Sequence, residues 1–101
     1  MKRVIVRYKV QEGRGEENAA LIRKVFAELA ETNPAGLSYT AYVGDDQQTF
    51  VHIAQIDTAD GSNPLLATAA FKAFTAQLPQ RCAEPPITVH GTEVGSFNSL
   101  R

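Results

Sequence analysis

Tryptophan is absent from this chain of 101 residues, and cysteine and methionine occur once each. A lone Cys82 cannot close an intramolecular disulfide, and it rules out a multi-cysteine metal site. Within Gln80-Arg81-Cys82-Ala83 it reads as a small structural hydrophobe, because no base is recognisable beside it. Excess charge of one sign is also missing. Ten basic residues face eleven acidic ones, a net charge of −1, so no global field draws the chain to nucleic acid or an anionic membrane. The basic start (Lys2, Arg3, Arg7, Lys9) is followed at once by Glu12, Glu16 and Glu17, which describes a solvated strand face. No apolar run approaches the ~20 residues of a membrane span. Val4-Ile5-Val6, halted by Arg7, is too short for a signal-peptide core. The default expectation is a cytoplasmic protein without membrane or nucleic-acid partners.

What is present is a globular composition, 44% apolar and 21% charged, of single-domain length. Val4, Val6, Tyr8 and Val10 alternate with Arg3, Ile5, Arg7 and Lys9, which predicts a strand. Gln11 to Gly15 is a turn. From Glu16 the period changes, and Leu21, Ile22, Val25, Phe26 and Leu29 form a helical stripe ended by Asn33-Pro34-Ala35-Gly36. Leu37 to Val43 and Thr49 to Asp57 are two strands joined by the polar turn Gly44 to Gln48. Asn63 and Pro64 suit the cap and first residue of a second helix, expected from Pro64 to about Leu78. Its buried side is read as Leu66, Ala70 and Phe74 with Leu65, Phe71 and Leu78. Pro79, Pro85 and Pro86 punctuate the path to a last strand, Ile87 to Val94.

The order β-α-β-β-α-β predicts an α+β, ferredoxin-like domain over residues 1–94, with a tail over 95–101. Both helices should cover one face of a four-stranded antiparallel sheet. Ile5, Val51 and Ile53 make the opposite face apolar too, so a homodimer through that face is expected.

One strand position stands out. Phe50, His52, Ala54 and Ile56 share a face by period-two alternation, which sets an imidazole among apolar neighbours. Such a histidine is either a hydrogen-bonded core residue or the working group of a pocket. Tyr8 belongs to the helix-facing side of the first strand. Tyr39 and Tyr42 fall on opposite faces, so one of them can line the same pocket. Phe26, Phe71 and Phe74, at core spacing, would be its walls. His90 alternates with Val89 and faces away from it, and a metal site joining it to His52 lacks close spacing and a third ligand.

Taken in order, five segments carry a resemblance. They are Val4 to Val10 running into Gly13, Gly36-Leu37-Ser38-Tyr39, Phe50 to Asp57, Phe71-Lys72-Ala73-Phe74, and Glu84-Pro85-Pro86. Together they make the chain resemble the antibiotic biosynthesis monooxygenase-like members of the dimeric α/β-barrel superfamily. That resemblance implies a ferredoxin-like subunit dimerising sheet to sheet, with ligands held between sheet and helices. Characterised members oxidise polycyclic phenols, anthrones or quinols with O₂ and without metal or flavin; others break down haem. By the same resemblance His52 stands where the aromatic oxygenases carry a catalytic Asn, and Ile56 where they carry Trp. Lys72 corresponds to a basic residue of the second helix. Ala54 and Ala70 replace a Glu and a His of many relatives.

The implied activity is a cofactor-free monooxygenase with His52 as base and Tyr8, Ile56, Lys72, Phe71 and Phe74 at the substrate. An imidazole titrating near pH ~6.5 suits that task. The alternative is a non-catalytic protein of the same architecture that binds a small apolar metabolite or acts as a scaffold. Haem binding would use His52 as axial ligand. RNA recognition is rejected, because Gln48 to Ile53 offers one aromatic and no glycine where RNA-recognition motifs need both.

Overall fold

The computed structural model describes residues 2–98. Strand β1 (Lys2–Val10) leads into helix α1 (Gly15–Thr32), followed by the β2 (Leu37–Val43) and β3 (Thr49–Ile56) hairpin, helix α2 (Ala69–Arg81) and strand β4 (Cys82–Gly91). The sheet order is β2-β3-β1-β4, with every neighbouring pair antiparallel. This is the ferredoxin-like arrangement expected from the element order. Alternation along β3 is complete: Phe50, His52, Ala54 and Ile56 are buried and the residues between them half-buried. Tyr8, Val10, Phe50 and Ala54 of the sheet pack with Ile22 and Val25 of α1, Leu65, and Phe74 and Leu78 of α2.

Local chemistry sets the connections. The Asp46 carboxylate accepts from the backbone N–H groups of Gln48 and Thr49, at 2.9 and 2.8 Å, which holds the hairpin turn. The hydrogen bond from the Thr49 hydroxyl, followed by these backbone bonds, pulls its pKa down to about 2. The α1 start lies against that turn so tightly that a Cβ on Gly15 would sit 2.0 Å from the Gln47 carbonyl oxygen, so only glycine fits. At the other end of α1, Asn33 takes a left-handed conformation and donates to the Leu29 carbonyl, a standard helix stop.

The second helical segment departs from the expected single helix. Pro64–Ala67 is a 3₁₀ turn capped by the Asn63 side chain, and the chain turns extended at Thr68 before α2 begins. The break has a donor-acceptor cause. Glu28, on α1, reaches the Ala69 and Ala70 N–H groups at 3.0 and 2.9 Å and caps α2 from outside. The change of phase at Thr68 buries Leu65 and leaves Leu66 in solvent, against the expected inward placement of Leu66.

The last strand is also displaced from its expected place. It runs Cys82–Gly91, not Ile87–Val94, and contains both Pro85 and Pro86. It is an edge strand, where a missing N–H costs little, and the pairing with β1 shifts register near those prolines. Helix α2 likewise continues past Pro79 to Arg81, because a proline in the final turn removes only one helical hydrogen bond. The expected tail from Gly95 lies beyond β4, and its residues 99–101 fall outside the described residues. Among the described residues no helix is long and apolar enough to cross a membrane.

Candidate functional site

Sheet and helices border a partly open apolar cavity of about 240 Å³, slightly below the usual range for ligand pockets. Val4, Val6, Tyr8, His52 and Ala54 form its floor, and Leu65, Phe71, Phe74 and Leu78 its roof. Tyr39, from the neighbouring strand, closes one side. The Tyr39 ring is stacked on Phe26 at 5.1 Å between centroids and meets the edge of Phe71.

The polar end is built around His52. Its Nε2 is 2.8 Å from the Tyr8 hydroxyl, and its Nδ1 is 2.6 Å from the Tyr39 hydroxyl. Strand register explains the sandwich. Val6 is the β1 partner of His52 and Ala41 its β2 partner, so Tyr8 and Tyr39 each lie two residues along on the same face. Behind Tyr8 the chain of contacts continues. Asn18 Nδ2 donates to the Tyr8 hydroxyl at 2.8 Å, and Arg81 Nε donates to Asn18 Oδ1 at 3.0 Å. Arg81 is 1% exposed and lies over the Phe74 ring, with its Nη2 lacking a hydrogen-bond partner among the described residues.

Burial sets the protonation states. Desolvation pushes the His52 imidazole down from 6.5 to about 4 and raises both tyrosines well above their ordinary range. At neutral pH the whole group is uncharged up to Arg81. His52 is therefore present as free base, but a weaker one than the unperturbed imidazole expected from the sequence, with both nitrogens engaged by hydroxyls. Axial ligation of haem would require one of those nitrogens to be released.

Solved structures of known proteins share this architecture. A Nitrosomonas europaea protein provisionally assigned as an antibiotic biosynthesis monooxygenase superposes with a TM-score of 0.76 at 19% identity, over 94% of this chain and 100% of its own. A Caulobacter crescentus protein with the same provisional assignment gives 0.72 at 19% identity, over 93% and 90%. SnoaB of Streptomyces nogalater, a cofactor-independent oxygenase, gives 0.71 at 18% identity, over 97% of each chain. The chain has the antibiotic biosynthesis monooxygenase fold. No family model and no curated relative matches it by sequence.

Within this fold, four residues singled out from the sequence, His52, Tyr8, Phe71 and Phe74, come together on the cavity wall. Ile56 is buried but lies outside the lining, paired with Lys2 and Leu37 toward the end of the sheet. Lys72 is exposed on α2 and does not reach the cavity. Of the two tyrosines left open on β2, Tyr39 is the one that faces His52, while Tyr42 is exposed on the other face. His90 pairs with Val4, which puts it on the helix-facing side, exposed near the sheet edge. Cys82 packs against the core, and burial raises its thiol pKa.

Asn18 and Arg81 were not legible as site residues, although a signal existed for each. Asn18, Ile22 and Val25 follow i, i+4, i+7 spacing, which places an amide on the apolar face of α1. Phe74, Leu78 and Arg81 follow the same spacing on α2, but ending the helix at Pro79 hides the third member.

Proposed function

We propose that this chain is a cofactor-independent monooxygenase of a small aromatic or quinol-like substrate, bound in the cavity with its ring oxygen at the Tyr39–His52 end. The observation that carries the reading is an apolar, aromatic-walled slot in which the Tyr8 and Tyr39 hydroxyls converge on His52. For an anthrone the balance is simple. The methylene carbon gains one oxygen of O₂ as a carbonyl, and its two hydrogens leave with the other oxygen as water. No external reductant is required. An electron-rich ring in a water-poor cavity is the condition under which such a ring passes an electron to O₂, and the protein's task is to orient and polarise it.

The test is O₂ uptake by the purified protein with a hydroxyanthrone and a naphthoquinol. Uptake should exceed the spontaneous rate and fall about a hundredfold in His52→Ala and in Tyr39→Phe. Uptake at the spontaneous rate with both substrates would transfer the assignment to the second reading, a non-catalytic binder of a small apolar metabolite. One observation favours that second reading: His52 has both nitrogens satisfied and a depressed pKa, as a purely structural core histidine would.

We further propose that a second copy of the chain covers the open face of the sheet. Ile5 pairs with Ile53 and Val89, and Arg7 with Val51 and Ile87, so the apolar members form one band. Ile87 and Val89 remain 54% and 52% exposed in the single chain, and Tyr42 extends the band over β2. Sedimentation equilibrium should give a dimer that Ile53→Glu dissociates. A wild-type monomer at micromolar concentration would rule this interface out.

A further inference from the structure

The hydrogen bonds around His52 have a direction, and the direction selects a ligand. Four of them link Arg81, Asn18, Tyr8, His52 and Tyr39 in series. The series begins at a group that cannot be reversed. A guanidinium offers hydrogens and no lone pair, so the Asn18 atom facing Arg81 Nε is its oxygen. The Asn18 NH₂ therefore faces Tyr8, and the Tyr8 oxygen receives that hydrogen. Tyr8 is fully buried, and burial keeps its hydroxyl protonated. Its own hydrogen needs an acceptor, and His52 Nε2 is within 2.8 Å.

His52 must then present a lone pair at Nε2 and carry its hydrogen on Nδ1. That hydrogen points at the Tyr39 oxygen, 2.6 Å away. The opposite polarity would give the Tyr8 oxygen two incoming hydrogens and strand its own in the core, the costlier arrangement for a buried donor. Tyr39, having accepted from His52, retains a hydroxyl hydrogen with no partner among the described residues, and it stands on the wall of the cavity. It is the last atom of the series, and its hydroxyl hydrogen is free to be given to a ligand in the cavity.

We propose that Arg81 and Asn18 fix His52 as its Nδ1–H tautomer, so that Tyr39 donates to the ligand and the cavity takes aromatic molecules presenting an oxygen acceptor, a ring carbonyl or an oxyanion. The inference rests on the reading that a small molecule occupies this cavity, and it refines the role of His52. The imidazole is a positioning residue that orients Tyr39, and the substrate enters as its keto or deprotonated form. With an oxyanion the reaction balances as anthrone enolate plus O₂ giving anthraquinone plus hydroxide. The proton on carbon is lost to water before binding, so no base in the cavity is called upon.

The test is nitrogen NMR of ¹⁵N-histidine-labelled protein, which reports the tautomer without substrate. His52 should show a protonated Nδ1 and a bare Nε2. Asn18→Asp, nearly the same shape, should invert it. A carboxylate accepts from both Arg81 and Tyr8, so Tyr8 would turn to accept from His52 Nε2–H, and Tyr39 would donate to Nδ1. A second measurement compares binding of 1-tetralone, an acceptor, with tetralin, its hydrocarbon analogue. Wild type should prefer the ketone about tenfold, the worth of one hydrogen bond, and Tyr39→Phe and Asn18→Asp should lose that preference.

A protonated Nε2 in the wild type, or an equal mixture of tautomers, overturns the proposal, even if the Asn18 variant fails to fold. The expected tautomer without ketone preference overturns its ligand half. The expected tautomer and preference without O₂ uptake leaves this inference standing and removes only the oxygenase reading.

Discussion

Replacing Asn18 by leucine should lower the stability of the fold by about 3–5 kcal/mol, measured as a shift of the urea midpoint at constant slope. Leucine matches the shape of asparagine closely, so the loss comes from polarity and not from a cavity. Asn18 is fully buried and serves two neighbours, accepting from Arg81 and donating to Tyr8. Without it the Arg81 Nε joins an Nη2 that already lacks a partner, and the guanidinium charge is left in the core above the Phe74 ring. Removing one side of a buried polar pair costs more than the pair contributes, because the survivor stays desolvated. Arg81→Met in the Asn18→Leu background should therefore recover part of the loss. A loss under about 1 kcal/mol would mean that water reaches Arg81 and Tyr8 in place of the amide.

The second large effect is acid sensitivity well above the range of carboxylates. In the unfolded chain His52 titrates near its ordinary 6.5, whereas in the folded protein burial delays protonation to about 4. Between those values the unfolded state holds a proton that the folded state refuses. Stability is therefore complete above pH 6.5, falls as pH drops, and stops falling once the folded His52 protonates near pH 4. The loss should reach about 2 kcal/mol by pH 5 and about 3 kcal/mol by pH 4. The interval from pH 6.5 to 5 isolates the histidine, because Asp46, Asp60 and Glu17, all depressed by their hydrogen bonds, contribute only at lower pH. Urea midpoints followed across this interval should slope in the wild type and flatten in His52→Gln. Equal slopes in the two proteins would show that His52 is not the group responsible.

Much of this molecule is local in origin. Period-two alternation in Thr49 to Ile56 was sufficient to place Phe50, His52, Ala54 and Ile56 on the buried side, because a strand has no other way to hide an apolar set. The second strand, Leu37–Val43, lies at its expected bounds, since Gly36 and the polar turn punctuate it on both sides. Where punctuation residues misled, their cost depended on neighbours that a single segment does not contain. Pro85 and Pro86 look like loop residues until β4 is seen to be an edge strand. Pro79 looks like a helix stop until it is seen in the last turn, where one missing hydrogen bond is cheap. Thr68 carries no sign of a break, which comes from a glutamate on another helix.

The site divides in the same way. His52 and Tyr8 could be found from strand parity, and Phe71 and Phe74 from helical spacing. Which of Tyr39 and Tyr42 would join them was open, because parity separates two faces without saying which one the helices cover. Lys72 and Ile56 came from correspondence with a family, and in this chain the first is exposed on α2 and the second lies outside the cavity lining.

The amino-acid sequence by itself determined the element order, the sheet face that carries the imidazole, and the exclusion of an intramolecular disulfide, since each follows from spacing or composition. Tertiary structure alone decided that Arg81, Asn18, Tyr8, His52 and Tyr39, from five different elements, form one directional series. A hydrogen bond is made by atoms within about 3 Å, and no periodicity along a chain encodes a distance across it.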